Sequence, residues 1–260
     1  MRKITINLAA VAAFCIVVAS PALVSSSCAT PKTEQEDTTI IREDSGITAL
    51  KYSSPEVPAS IEFCGKTIDL SRFDRHERMD RELLAFTYMH STSLQMLKKA
   101  NRYFPIVEPI LKENGIPDDF KYLMVIESNM NPTARSSAGA AGLWQFMQGT
   151  GRDYGLEGNN NVDERYHIEK ATRAACRYLK DAYAKYKDWV AVAASYNAGQ
   201  ARIASQLAKQ DVDDSLDLQL VEETARYVYR ILAAKQLFNA PTTFGFRLRA
   251  SDLYCLLYTS

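Results

Sequence analysis

The chain has 260 residues, with 31 Lys plus Arg balanced by 31 Asp plus Glu. Hydrophobic residues make up 47% and charged residues 24%, which excludes a wholly disordered chain and leaves room for one substantial core. The zero formal charge also argues against a nucleic-acid binder held by a basic surface, so no nucleic-acid partner is expected.

The chain opens with Arg2 and Lys3, an apolar run from Ile4 to Val18, and then small residues up to Ser25, Ser26 and Ser27. These are the parts of a secretory signal, and the run is too short for a membrane-spanning helix, which needs about 20 apolar residues. Cys28 follows three serines and precedes a polar tract, which resembles a bacterial lipoprotein cleavage site, although Ser25 stands where a larger aliphatic residue is usual. The reading is a signal peptide over 1–27 and lipidation at Cys28, with a plain cysteine after ordinary cleavage as the alternative. By the same analogy, Ala29 in place of an aspartate directs the protein to the periplasmic face of the outer membrane as a lipoprotein; a soluble periplasmic protein is the alternative. Residues 28–72 read as a lipidated N-terminus and polar tether, rich in Thr, Glu, Asp, Pro and Ser. Cys15 leaves with the signal, and Cys64, Cys176 and Cys255 permit at most one internal disulfide. No cysteine pair or histidine cluster has metal-ligand spacing, so neither metal nor cofactor is expected.

Helical periodicity begins near Phe73 and continues through Leu94 and Leu97. Pro105 predicts a break or a helix start, followed by a short helix with Val107, Ile110 and Leu111 that Asn114-Gly115 closes. Pro117 opens a third helix carrying Phe120, Leu123, Met124 and Glu127. A close-packed turn over Ser136–Gly142 leads to an expected helix from about Leu143, and a loop follows over Gly155–Asp163. Helices are expected over Ile168–Tyr186, from Trp189 to Asn197-Ala198-Gly199, and from Glu222 to Phe238. An acidic linker, Asp211–Asp217, lies between the last two. Phe244, Phe246 and Leu248 alternate as in a short strand or an extended tail. The fold class is mainly α, with alanine-rich helices that can approach closely.

Glu127 is the chemically informative residue. It completes an apolar stripe with Phe120, Leu123 and Met124, and it sits near a helix C-terminus, where the macrodipole disfavours negative charge. Both effects raise a carboxyl's pKa, and a carboxyl protonated near neutral pH can act as a general acid. The alternatives are a boundary glutamate reaching solvent, or one that captures an arginine.

Ordered blocks around Glu127 resemble the lytic murein transglycosylases of the lysozyme-like superfamily, and more narrowly their membrane-bound D-type lipoprotein branch. They are Glu127-Ser128-x-x-Asn131-Pro132-x-Ala134-x-Ser136-x-x-Gly139-Ala140-x-Gly142-Leu143-Trp144-Gln145-Phe146, then Asp163-Glu164-Arg165, then Ser195-Tyr196-Asn197-Ala198-Gly199, then Glu223-Thr224-x-x-Tyr227-Val228. The resemblance implies a catalytic domain over 73–248 with a lysozyme-like, sugar-binding cleft, and a C-terminal tail over 249–260. It implies Glu127 as the catalytic acid and Ser136, Gln145, Tyr196, Asn197 and Glu223 as substrate-binding residues. The implied partner is the peptidoglycan glycan strand, with the membrane reached through the lipid anchor. The implied reaction cleaves the β-1,4 bond between N-acetylmuramic acid and N-acetylglucosamine and leaves a 1,6-anhydromuramic end.

Each role has a plainer alternative. Gln145 could be a surface amide, Tyr196 a packed aromatic bonding a backbone group, Asn197 a helix cap, Glu223 a first-turn acid and Ser136 a turn residue. Trp144 could stack on sugar or fill the core. Ser195 stands where the family has alanine, and no adjacent histidine supports it as a nucleophile. His76, His90 and His167 match no catalytic position. Two other functions stay open: a hydrolytic muramidase, for which Asp153 and Asp163 are candidate second carboxylates, and a non-catalytic murein-binding lipoprotein. The D-type branch carries LysM repeats after its catalytic domain; this sequence stops at Ser260, so either they are lacking or the chain is truncated.

Overall fold

The computed structural model describes residues 54–256 apart from position 213. The signal segment, Cys15, Cys28 and the first half of the tether lie outside the described residues.

The described chain opens with a β-hairpin inside the stretch read as tether. Strand β1 (Ser60–Phe63) pairs antiparallel with β2 (Lys66–Asp69), and Phe63 lies opposite Lys66. The two-residue turn needs positive φ at both positions, which Cys64 (53°) and Gly65 (82°) supply. Phe63, Ile68 and Leu70 are fully buried, so the packed body begins before Phe73. The Cys64 N–H donates to Asp119 Oδ2 at 2.7 Å, and Lys235 joins the same carboxylate at 2.8 Å. These bonds tie the hairpin to the start of a central helix.

Helix α1 (Phe73–Tyr88) buries Met79, Leu83 and Phe86 and lies along α8 (Glu222–Asn239). The chain then breaks at Met89 rather than near Pro105. Ser93 Oγ donates to the Phe86 carbonyl at 2.6 Å across this break. Helix α2 (His90–Glu113) runs unbroken through Pro105 and Pro109, contrary to the sequence expectation. Each proline forfeits one backbone bond, but burial of Tyr103, Val107, Ile110 and Leu111 along the same helix holds it together. Its end at Asn114-Gly115 is as expected, with Gly115 at φ 65°.

Helix α3 (Phe120–Ser128) is the central element, with Phe120, Leu123, Met124 and Val125 at zero exposure. It packs between α2 and α8. The helix expected from Leu143 is absent. A tight turn over 142–145 is closed by an Ala141–Phe146 bridge, and only the short α4 (Gln148–Asp153) follows. Gly142 (φ 78°) and Gln145 (φ 48°) are both left-handed, which a helix does not allow.

Helices α5 (Ile168–Tyr186) and α6 (Trp189–Ala198) match the predicted spans. Their buried alanines, including Ala171, Ala174, Ala175, Ala191, Ala193 and Ala194, form much of their packed faces. Helix α7 (Gln200–Lys209) was not expected; it buries only Ile203. The acidic linker contains a 3-10 turn at Ser215–Asp217. Phe244 and Phe246 are buried as a packed tail, but Pro241–Phe244 is a 3-10 turn and no strand forms.

Candidate active site

Glu127 occupies the last turn of α3, just before Asn129 and Met130 enter the left-handed region at φ 49° and 57°. Its neighbours Ile126 and Ser128 are buried, while its own side chain keeps partial exposure. Burial pushes the carboxyl up to about 7, and the charge of Glu223 adds to that rise. Two groups pull the other way: a hydrogen bond from the Tyr227 hydroxyl to Oε1, and the positive charge of Arg230. Tyr227 is itself buried, so its phenol stays protonated well beyond the ordinary tyrosine range and acts as the donor. The carboxyl is therefore poised between acid and base.

Tyr196 lies within electrostatic reach of Glu127, whose charge, after burial, raises the phenol's pKa. Its hydroxyl donates to the Trp144 carbonyl at 2.7 Å, the backbone role given as its plainer alternative. Its ring stacks edge-on with Tyr178 and Phe146, at centroid distances of 5.1 and 6.2 Å. Tyr196 thereby clamps the 142–145 turn to α6.

That turn carries Gln145. Its Nε2 donates to the carbonyls of Gly142 (2.8 Å) and Ala134 (3.2 Å), so its amide oxygen is the group it can offer a ligand. Gly142 permits the turn by close approach: a Cβ there would sit 1.9 Å from the Arg165 carbonyl oxygen. The buried Arg165 holds the same loop. Its Nη1 donates to the carbonyls of Gly139 (2.8 Å) and Phe146 (2.9 Å), and Asp163 pairs with it at 2.7 Å.

Gln145, Tyr196 and Asn197 line one cavity of about 310 Å³, together with Phe146, Met147 and Tyr178. Asn197 Oδ1 accepts from the buried Thr224 hydroxyl at 2.8 Å, which turns the amide nitrogen outward as a donor. Glu223 is exposed in the first turn of α8 and acts on Glu127 through its charge alone. Ser136 is not brought to this cavity. It is exposed in the 136–140 turn, where its Oγ accepts from the Ala140 N–H at 3.0 Å.

The remaining candidates resolve into structure. Trp144 is fully buried and donates to Thr172 Oγ1 at 2.9 Å, so it fills the core. Ser195 is buried and bonds back to the Val192 carbonyl. Asp153 is exposed on α4, and Asp163 is committed to Arg165; neither is placed against Glu127. His167 caps α5 and His90 packs on Phe246, while His76 is exposed. Cys64, Cys176 and Cys255 are all free thiols.

The family model described as the transglycosylase SLT domain matches residues 105–217. The chain carries a transglycosylase SLT domain. It is 30% identical over 181 residues to the membrane-bound lytic murein transglycosylase D of Escherichia coli K12, an alignment that covers 68% of this chain and 39% of the relative. It is also 30% identical over 138 residues to the peptidoglycan transglycosylase gp16 of phage T7, covering 51% of this chain and 10% of that protein. The chain thus spans about two fifths of the length of the D-type relative it matches. Among solved structures, the 70 kDa soluble lytic transglycosylase of Escherichia coli matches at 19% identity with a TM-score of 0.48, over 67% of this chain and 32% of that one.

The SLT match contains Glu127, Ser136, Gln145, Tyr196 and Asn197, but it ends before α8. Tyr227, which bonds Glu127, and Thr224, which orients Asn197, both come from α8. The candidate site is therefore completed by a helix outside the matched span. Both residues stand in the last of the sequence blocks that carry the resemblance, but the sequence reading gives neither a role in the site. Both fall on the buried stripe of α8, where a tyrosine and a threonine look like core, and nothing local reports a partner 100 positions away.

Proposed function

We propose that this protein is a peptidoglycan lytic transglycosylase, with Glu127 as its acid and then its base. The observation that carries the reading is the Glu127 carboxyl, pushed up to about 7 and aligned by the Tyr227 hydroxyl. A neutral carboxyl can donate a proton, and its conjugate base can take one back near the same pH.

In this mechanism, protonated Glu127 donates to the glycosidic oxygen as the bond from C1 of N-acetylmuramic acid breaks. The acetamido oxygen of that sugar stabilises C1 from the opposite face. The Glu127 carboxylate then removes the proton of the C6 hydroxyl, and O6 bonds to C1 to give the 1,6-anhydro end. The proton count closes on Glu127 and no water is consumed. The intramolecular hydroxyl has a large advantage over water because it is already held near C1. The Gln145 oxygen and the Asn197 amide N–H would orient the sugar's acetamido and hydroxyl groups, with Tyr196 fixing the wall between them. Placement of the chain at the outer membrane through a lipid on Cys28 belongs to the same proposal and rests on the sequence pattern alone.

Hydrolysis of the same bond is the second reading, and Glu223 is the observation that favours it. A second carboxylate whose charge reaches Glu127 could activate a water. Digesting purified murein and weighing the products decides between them: anhydro ends carry one water less than reducing ends. Glu127→Gln should abolish release of either product. Substantial release by that variant would remove Glu127 from the chemistry.

A further inference from the structure

A second cavity, of about 200 Å³, lies between α1, the end of α3 and α8. Ile126 and Asn129, which bracket Glu127 in sequence, form one wall, and Met89 forms another. Arg226 and Arg230, one turn apart on α8, supply the polar wall, with Glu82 beneath them.

The charge in this cavity does not cancel. Glu82 is 2% exposed and bonds Arg226 Nε at 2.6 Å, so these two neutralise each other. Arg230 is half-buried, and among the described residues it forms no ion pair. Its positive charge is felt by Glu127, and the cavity it lines is walled by Ile126 and Asn129 on either side of that residue in the chain. A guanidinium in a recess is a planar fork of donors matched to a carboxylate. At about 30 Å³ per water, the cavity holds several waters, and so a carboxylate with the short carbon chain that bears it.

We propose that the Arg230 cavity receives a carboxylate of the peptide stem on the glycan strand and so sets which bonds reach Glu127. This rests on the peptidoglycan reading above. The glycan backbone offers no free carboxylate where the muramyl lactyl group is joined to peptide, so an anion that such a strand brings to this cavity belongs to the stem. The apolar side of the cavity, formed by Met89 and Ile126, suits the aliphatic part of a peptide rather than a sugar ring.

The test compares wild type with Arg230→Met and Arg230→Lys on three murein substrates. These are intact strands, strands whose stem carboxyls have been amidated, and strands stripped of their stems. Rates are taken at about pH 6, where Glu127 stays largely protonated in each protein. For wild type, kcat/KM on intact strands should exceed that on amidated strands. Arg230→Met should lower that ratio by about tenfold, the size of one charge-assisted bond pair, and Arg230→Lys should restore part of it. Equal losses on intact and amidated strands would overturn the proposal, since Arg230 would then act only through Glu127. A loss that persists on stripped strands would also overturn it, because the lactyl carboxylate would then be the ligand. Failure of wild type to cleave any of the three would strike at the peptidoglycan reading instead.

Discussion

Tyr227 donates its hydroxyl hydrogen to Glu127 Oε1 from a helix 100 positions further along the chain. The bond sets both the direction and the acidity of the carboxyl. It favours the charged form, and so it partly offsets the burial that raises the pKa to about 7. A buried phenol whose own pKa is driven far up cannot compete for the proton it shares.

Tyr227→Phe tests this division. Loss of the bond removes a stabiliser of the carboxylate, so the Glu127 pKa should rise further. The protonated acid then survives to higher pH, and the alkaline limb of the pH–rate profile should move upward. The rate at the optimum should fall by about ten- to a hundredfold, because the acid loses its orientation. A lower rate with an unmoved alkaline limb would contradict this account of the acidity.

Glu127 also links stability to pH. Its folded pKa of about 7 lies above the reference of 4.5, so the folded state holds the proton more tightly than the unfolded chain. The stabilisation is complete below about 4.5 and is lost as pH rises through about 7, by about 3 kcal/mol in all. Glu127→Gln should remove that slope. It should melt close to wild type at about pH 4.5 and several degrees above it at about pH 8. Thermal melts at the two pH values give the answer, and a variant less stable at the higher pH would contradict the burial argument.

Gly142 holds the Gln145 turn by absence of a side chain. In Gly142→Ala the new Cβ would lie 1.9 Å from the backbone oxygen of Arg165, at a φ of 78° that alanine resists. Backbone must move, so a loss of about 3 kcal/mol or more is expected, together with loss of activity as Gln145 shifts. Urea titration of the variant measures the first and murein digestion the second.

How much of this was legible in sequence follows from the range of each interaction. Helices α5 and α6 carry their signals within a few turns, in alanine stripes and a Gly199 end, and their spans match. The raised pKa of Glu127 was legible for the same reason: its stripe and its helix end are local. The hairpin at Ser60–Asp69 was not, because two four-residue strands with alternate polar residues look like linker until Phe63 and Ile68 meet the core. Pro105 misled because tertiary burial outweighs one lost backbone bond. Ser136 shows a limit of motif reading: it lies within the quoted block, yet its oxygen serves the turn. Tyr227 and Thr224 act across the fold, and only the packed α8 places them.

Thr224 offers the last test. The residue is 2% exposed, and its hydroxyl donates to Asn197 Oδ1 and so decides which end of that amide faces the cavity. Thr224→Val keeps the shape and removes the donor, leaving the Asn197 oxygen unpaired and the amide free to turn over. The fold should lose about 1 kcal/mol. If Asn197 presents its N–H to the sugar, KM should rise severalfold while the pH dependence, set by Glu127 and Tyr227, stays in place. A fall in kcat with KM unchanged would instead put Asn197 in the transition state, and a variant with wild-type kinetics would leave it a helix-end residue.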